Sequence, residues 1–466
     1  MKRGSGVLLH ISSLPGEYSE GSFGEEAKRF VDFLSDCGFT YWQTLPFCMT
    51  DLFNSPYKSF SAFSGNPFFI DLPSLHREGL LTAEELKAAK QETPYICEFD
   101  RLHQERMKLL ATAAGRVQAD TVLQGTIQTF IQNNLHIHDF CRFMDETGEF
   151  PYDVWAFTQY MFFTQWEEIK AYANAKGVKI IGDIPIYVSP DGADLWADPE
   201  LFQLDEEGEL AGVAGVPPDY FSEDGQLWGN PLYDWGKMKQ DGYRWWRERM
   251  AYMFKLFDGV RIDHFRGFES YYSVPASATT ARHGQWLPGP GKDFVDCLKE
   301  VSQGKMVIAE DLGVITEEVR ELVEYSGFPG MRVLQFGFSD EEDSAHLPHN
   351  YSHNTVAYTG THDNNTLLGF MWELDPAIRK RILDYCGCGE GEDWNNCYDA
   401  ILKVMMASHA DLLIIPIQDI LHYGGDTRMN LPGREEGNWG YRVTCEQLQT
   451  IDRQKWRYWN ELYGRC

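Results

Sequence analysis

The chain has 466 residues, a formal net charge of −29 and 24% charged residues. That length permits a large core with sizeable insertions, and the acidity argues against nucleic acid and anionic membrane as partners, whose phosphates it would repel. No run approaches the ~18 apolar residues of a membrane helix, and Val7–Leu9 ends at His10, too short for a signal-peptide core. A cytoplasmic protein is expected. The ten cysteines are scattered, with Cys37 and Cys297 in apolar helical patterns, which fits free thiols in a reducing compartment. Cys386, Cys388 and Cys397 form the only cluster, and its spacing matches neither a zinc ribbon nor a finger. No HExxH, paired CxxC or calcium-loop pattern occurs, so no metal is expected. Aromatic residues make up 14%, which suits either a large core or a cleft where sugar faces stack on rings.

Apolar strand-like runs recur along the chain. Gly6–His10 reads as the first strand. Glu25–Asp36 reads as a helix with Ala27, Phe30, Val31 and Leu34 on one face and Gly38 as its stop. Thr40–Pro46 is the second strand, which completes a βαβ unit. A helix from about Trp155 to Lys176 leads to the third strand, Val178–Ile186. The fourth is Gly259–Asp263, and the fifth is Met306–Asp311, preceded by a helix carrying Phe294, Leu298 and Val301. The sixth, Met331–Phe336, follows a helix that Thr316 is positioned to cap. The seventh is Thr355–Thr359 and the eighth Asp411–Ile417. Eight strands with helical crossovers predict an α/β fold, a (β/α)8 barrel. Two gaps exceed a simple crossover. Residues 51–150, between strands two and three, hold a polar helical stretch from about Thr82 to Gln132. Residues 190–250, between strands three and four, are rich in Gly, Pro and Trp and read as an ordered loop region over a cleft.

Three acidic residues stand at the ends of apolar runs: Asp263 in Asp258–Arg266, Glu310 in Met306–Leu312, and Asp363 in Val356–Asp363. A carboxylate in such a run costs several kcal/mol unless it is paired or functional. Each falls late in a strand, so all three gather at the C-terminal rim, where barrel enzymes hold their chemistry. Arg261 precedes Asp263 by two residues and shares its face, either as a structural ion pair or to hold Asp263 ionised.

These motifs resemble the α-amylase clan of glycoside hydrolases, and more narrowly the 4-α-glucanotransferases (amylomaltases, glycoside hydrolase family 77). The resemblance covers essentially the whole chain. It is carried by Gly4–His10, Asn54–Ala62, Gly65–Asp71, Gly182–Val188, Gly215–Phe221, Trp228–Tyr233, Gly330–Phe336 and Arg428–Gly433. Lys58 stands where the family more often has Gln. The resemblance implies transfer of α-1,4-glucan segments from a glucan donor to a glucose or maltooligosaccharide acceptor, with no cofactor. It implies Asp263 as nucleophile, Glu310 as acid/base and Asp363, with His362, as the pair gripping sugar hydroxyls. Burial after Val-Ile-Ala is expected to raise the Glu310 pKa. Tyr57 and Asp183 are further candidates for the cleft. Tyr220 and Phe221, after two prolines, are candidates to cover it and exclude water. The competing readings are a hydrolase of the same clan and a non-catalytic carbohydrate-binding barrel.

Overall fold

The computed structural model describes residues 2–218, 223–338, 344–389, 391 and 393–466. Twelve strands occur among them: β1 (Gly4–Leu8), β2 (Tyr41–Gln43), β3 (Lys179–Ile184), β4 (Gly212–Val216), β5 (Gln226–Pro231), β6 (Gly259–Ile262), β7 (Ser270–Pro275), β8 (Gln285–Pro288), β9 (Met306–Ala309), β10 (Gly330–Val333), β11 (Thr355–Tyr358) and β12 (Leu412–Pro416). Eight of them close a parallel barrel in the order β1-β12-β11-β10-β9-β6-β3-β2. These are the eight expected strands, and the fold is the (β/α)8 barrel. The chain meets itself where Gly4 pairs with Leu412 and Leu8 with Pro416.

Alternation along each strand sorts its side chains. Leu8, Ile181, Ile308, Leu412 and Ile414 fill the barrel with Met331, Val356 and Tyr358. Their neighbours Val7, Ile180, Val260, Ile262, Leu413 and Ile415 turn outward onto the helices. The period then fixes the polar residues. Asp183 lies two beyond Ile181, Glu310 lies two beyond Ile308, and Arg261 sits between outward-facing Val260 and Ile262, so all three face the interior.

The expected strands run longer than the observed ones. β6 stops at Ile262 and β9 at Ala309, one residue before each carboxylate. Leu334–Phe336 forms a 3-10 turn rather than strand. At the rim the chain leaves the ladder so that side chains, not backbone, face the mouth.

The helix Glu25–Cys37 buries Ala27, Phe30, Val31 and Leu34 and ends at Gly38, whose φ of 79° is left-handed. The helix Tyr152–Ala175 has two buried glutamines with one task. Gln159 accepts from Gly65 N (2.8 Å) and donates to Gly65 O (2.9 Å), and Gln165 accepts from Asp71 N (2.7 Å). Both hold the segment that follows Tyr57. Thr316 occupies the N-cap of Glu317–Ser326 but makes no side-chain capping bond.

Within 51–150 the expected helical stretch is divided into shorter helices, including Ala83–Ala88, Met107–Val117, Thr121–Gln132 and Leu135–Thr147. Within 190–250, where loop was expected, β4 and β5 join β7 and β8 in an antiparallel sheet ordered β5-β4-β7-β8. Half of that sheet comes from beyond β6, and Gly, Asn and Pro in β4 and β5 mask the period-two pattern.

Candidate active site

Arg261 organises the rim. Its Nη1 donates to both oxygens of Asp183 (2.9 and 2.7 Å), and its Nη2 donates to Asp263 Oδ1 (2.7 Å). The register that pairs Asp183 with Arg261 across β3 and β6 makes this bridge possible. Burial works against the guanidinium charge, but Asp183 and Asp263 outweigh it and hold the pKa well above its ordinary value. The Asp183 side chain is 0% exposed, whereas that of Asp263 is 31% exposed. Asp183 therefore anchors from below, and Asp263 is the carboxylate offered to the cleft.

Glu310 stands beside Asp263 just past the end of the next strand, since β6 and β9 pair Ile262 with Ala309. Both Glu310 oxygens are aimed by backbone: His264 N donates to Oε2 and Leu312 N to Oε1, each at 2.7 Å. His264 reaches this bond in a left-handed conformation, φ 54°, which is costly for a residue with a Cβ. Burial, then the neighbouring Asp263 charge, pushes Glu310 up to about 7. A group so placed holds a proton near neutrality and can release it.

Asp363 lies past the end of β11. His362 Nε2 is 3.3 Å from its Oδ2, and Asn430 Nδ2 donates to its Oδ1 (2.6 Å). Burial raises this carboxyl, but His362 and Asn430 overcome it and hold it below the usual carboxylate range. Tyr57 ties the two groups together. Its hydroxyl donates to Asp183 Oδ2 (2.7 Å), and its ring stacks on His362 with centroids 4.9 Å apart. Trp439 lies across both rings, 6.0 Å from Tyr57 and 5.9 Å from His362.

Seven residues singled out in the sequence thus converge: Asp263, Glu310, Asp363, Arg261, Asp183, Tyr57 and His362. Tyr220 and Phe221 lie outside the described residues. Asp311 turns away to Arg332 (2.9 Å) and Met331 N (2.6 Å). Arg266 covers Trp286 at 3.8 Å and donates to Val314 O. Asn430, Trp439 and the backbone of His264 were not anticipated. Asn430 lies in the Arg428–Gly433 motif, which carried resemblance without a role. The His264 contribution is a backbone N–H, invisible in side-chain identity.

Among the described residues, no group of three or more His, Cys, Asp or Glu could hold a metal ion, and no helix is long and apolar enough to cross a membrane.

A family model described as 4-alpha-glucanotransferase matches residues 9–155 and 145–448. The 4-alpha-glucanotransferase of Streptococcus pneumoniae is 42% identical, over 96% of this chain and 94% of that protein. That of Thermus thermophilus is 40% identical, over 96% of each. The amylomaltase of Streptococcus agalactiae, solved in complex with acarbose, superimposes with a TM-score of 0.95 at 36% identity over 100% of both chains. Full-length likeness of this degree, on a closed barrel with three rim carboxylates, settles the relationship: the chain belongs to the 4-alpha-glucanotransferase family.

Proposed function

We propose that this transglycosidase works by a retaining double displacement at Asp263 and Glu310. The Asp183–Arg261–Asp263 bridge, beside a Glu310 that titrates near 7, is the observation that carries the reading. Arg261 holds the Asp263 carboxylate aimed at the cleft. Asp263 Oδ attacks C1 of an α-1,4-linked glucan, and the glycosidic bond breaks as Glu310 protonates the leaving oxygen. The donor's reducing-end segment departs and a glycosyl ester remains on Asp263. Glu310, now a carboxylate, takes the proton of an acceptor's 4-hydroxyl, whose oxygen displaces Asp263 from C1.

Asp363 stays ionised and accepts from sugar hydroxyls, with the N–H of His362 beside it as a donor, most strongly in the oxocarbenium-like transition state. Tyr57 and Asp183 act as positioning residues, with the Tyr57 ring walling the sugar site. Tyr220 and Phe221 are assigned to cover the cleft so that acceptor outcompetes water. Residues 1–466 form one catalytic barrel unit, with 51–150 and 190–250 as insertions. The donor is an α-1,4-glucan and the acceptor glucose or a maltooligosaccharide, in the cytoplasm.

The test is incubation with maltotriose followed by thin-layer chromatography. A ladder of longer and shorter sugars is expected. Shorter products alone would assign a hydrolase, and unchanged maltotriose a binding protein.

A further inference from the structure

A large cavity lies away from the carboxylates, in the helical region between β2 and β3. It has a volume of about 790 Å³ and is walled by Met107–Val117, Thr121–Gln132, the start of Leu135–Thr147 and the start of Tyr152–Ala175. That is within the ~300–1,000 Å³ of small-molecule sites.

Its walls are fixed rather than loosely apposed. Arg106, just before the first wall helix, donates to Phe68 O (2.8 Å). Phe130, on the second, packs on Tyr160 and Phe163 of the long helix with centroids 5.8 and 5.4 Å away. Gln159 ties the long helix to Gly65. The gap therefore persists between anchored elements.

The floor is aliphatic: Ala114, Val117, Ile127, Ile131 and Val154 line it. Phe157 contributes only an edge, being 1% exposed. The mouth carries four carboxamides, Gln118, Gln124, Gln128 and Gln132. His138 and Tyr152 add a hydrogen-bonded pair, 2.7 Å apart. Asp153 is the only carboxylate in the lining, which holds no Lys or Arg. A Cβ built at Gly115 meets nothing within 4 Å, so the cavity reaches that helix's backbone.

A mainly aliphatic floor is poorly matched to the many hydroxyls of a sugar, and a lining without Lys or Arg does not compensate an anion. We propose that this cavity binds an uncharged, mainly aliphatic molecule bearing hydroxyl or amide groups, its chain on the floor and its head among the carboxamides. The glucan reaction neither uses nor predicts such a site.

The probe is 1-monolauroylglycerol below its micellar concentration, titrated calorimetrically into the full-length protein, with laurate as the charged counterpart. Saturable binding of one equivalent of the glyceride is expected, with laurate at least about tenfold weaker. Hydrogen exchange should slow within 107–132 on binding. Gly115→Phe, which fills the void, should weaken binding about tenfold or more while leaving maltotriose transfer intact. Ala114→Leu serves the same purpose should the larger residue prevent folding. Absence of saturable binding, equal binding of laurate, equal affinity in a folded void-filling variant, or protection only outside 107–132 would each overturn the assignment.

Discussion

At the scale of single residues, two carboxylates in nearly the same place are suited to opposite tasks because their partners differ. Asp263 meets a guanidinium, whereas Glu310 meets two backbone N–H groups, an apolar strand and the Asp263 charge. Asp263→Asn keeps the volume but removes the proposed nucleophile. Transfer should fall by several orders of magnitude with glucan binding retained, and more than about a tenth of wild-type transfer would remove Asp263 from the nucleophile's role. Glu310→Gln should abolish turnover of maltooligosaccharides yet still form a glycosyl-enzyme from a glycosyl fluoride, whose leaving group needs no proton. Mass spectrometry of the trapped adduct checks this. The proposed double displacement begins with Glu310 protonated, so the rate should decline as pH rises through about 7. Its folded pKa exceeds the ordinary 4.5, so the folded state binds more protons across that window. Its contribution to stability is therefore lost as pH rises. Glu310→Gln should be more stable than wild type at pH 8 by roughly 1–3 kcal/mol, and nearly equal at pH 4. Denaturation at the two pH values is the measurement.

At the scale of elements, the site depends on a helix that contributes no side chain to it. Gln159 satisfies both the N–H and the C=O of buried Gly65, and Gly65 cannot be replaced because a Cβ there would lie 2.2 Å from the Phe162 ring. Gln159→Leu keeps the bulk but strands two backbone groups, which should cost roughly 2–4 kcal/mol. The loosened segment directly follows Tyr57, so KM for maltotriose should rise more than kcat falls. Urea denaturation with steady-state kinetics tests both halves. An unchanged KM in a destabilised variant would detach the glutamine from the site.

For the whole molecule, barrel closure is reinforced by the two ends of the chain. Arg3 donates to the carbonyls of Met406, Ser408, Ala410 and Tyr463. Arg465, 0% exposed, donates to Gly4 (2.9 Å), Met405 (3.4 Å), Met406 (2.8 Å) and Ser408 (3.1 Å). Both clamp the seam where β1 pairs with β12. Arg465→Met preserves much of the buried stem but leaves these carbonyls without that donor. A loss of about 2–4 kcal/mol is expected, read as a lower urea midpoint with unchanged slope. An unchanged midpoint would show that strand pairing alone holds the seam.

The amino-acid sequence by itself determined the eight barrel strands and the placing of Asp263, Glu310 and Asp363 at their ends. Each strand is a short apolar run, and period two dictates which residues turn inward. It also made Arg261 and Asp263 neighbours, two residues apart with one on the strand and the other just past its end. Contacts between segments remote in sequence were decided only by the tertiary structure. Asp183 is joined to Arg261 across β3 and β6, Asn430 reaches Asp363 from far along the chain, and Tyr57 stacks on His362, which is 305 residues away. The second sheet stayed hidden for the same reason, since β4 finds its partner β7 only after the chain has passed through the barrel. Local patterns specify which face a side chain takes; which remote group meets it depends on how the barrel closes.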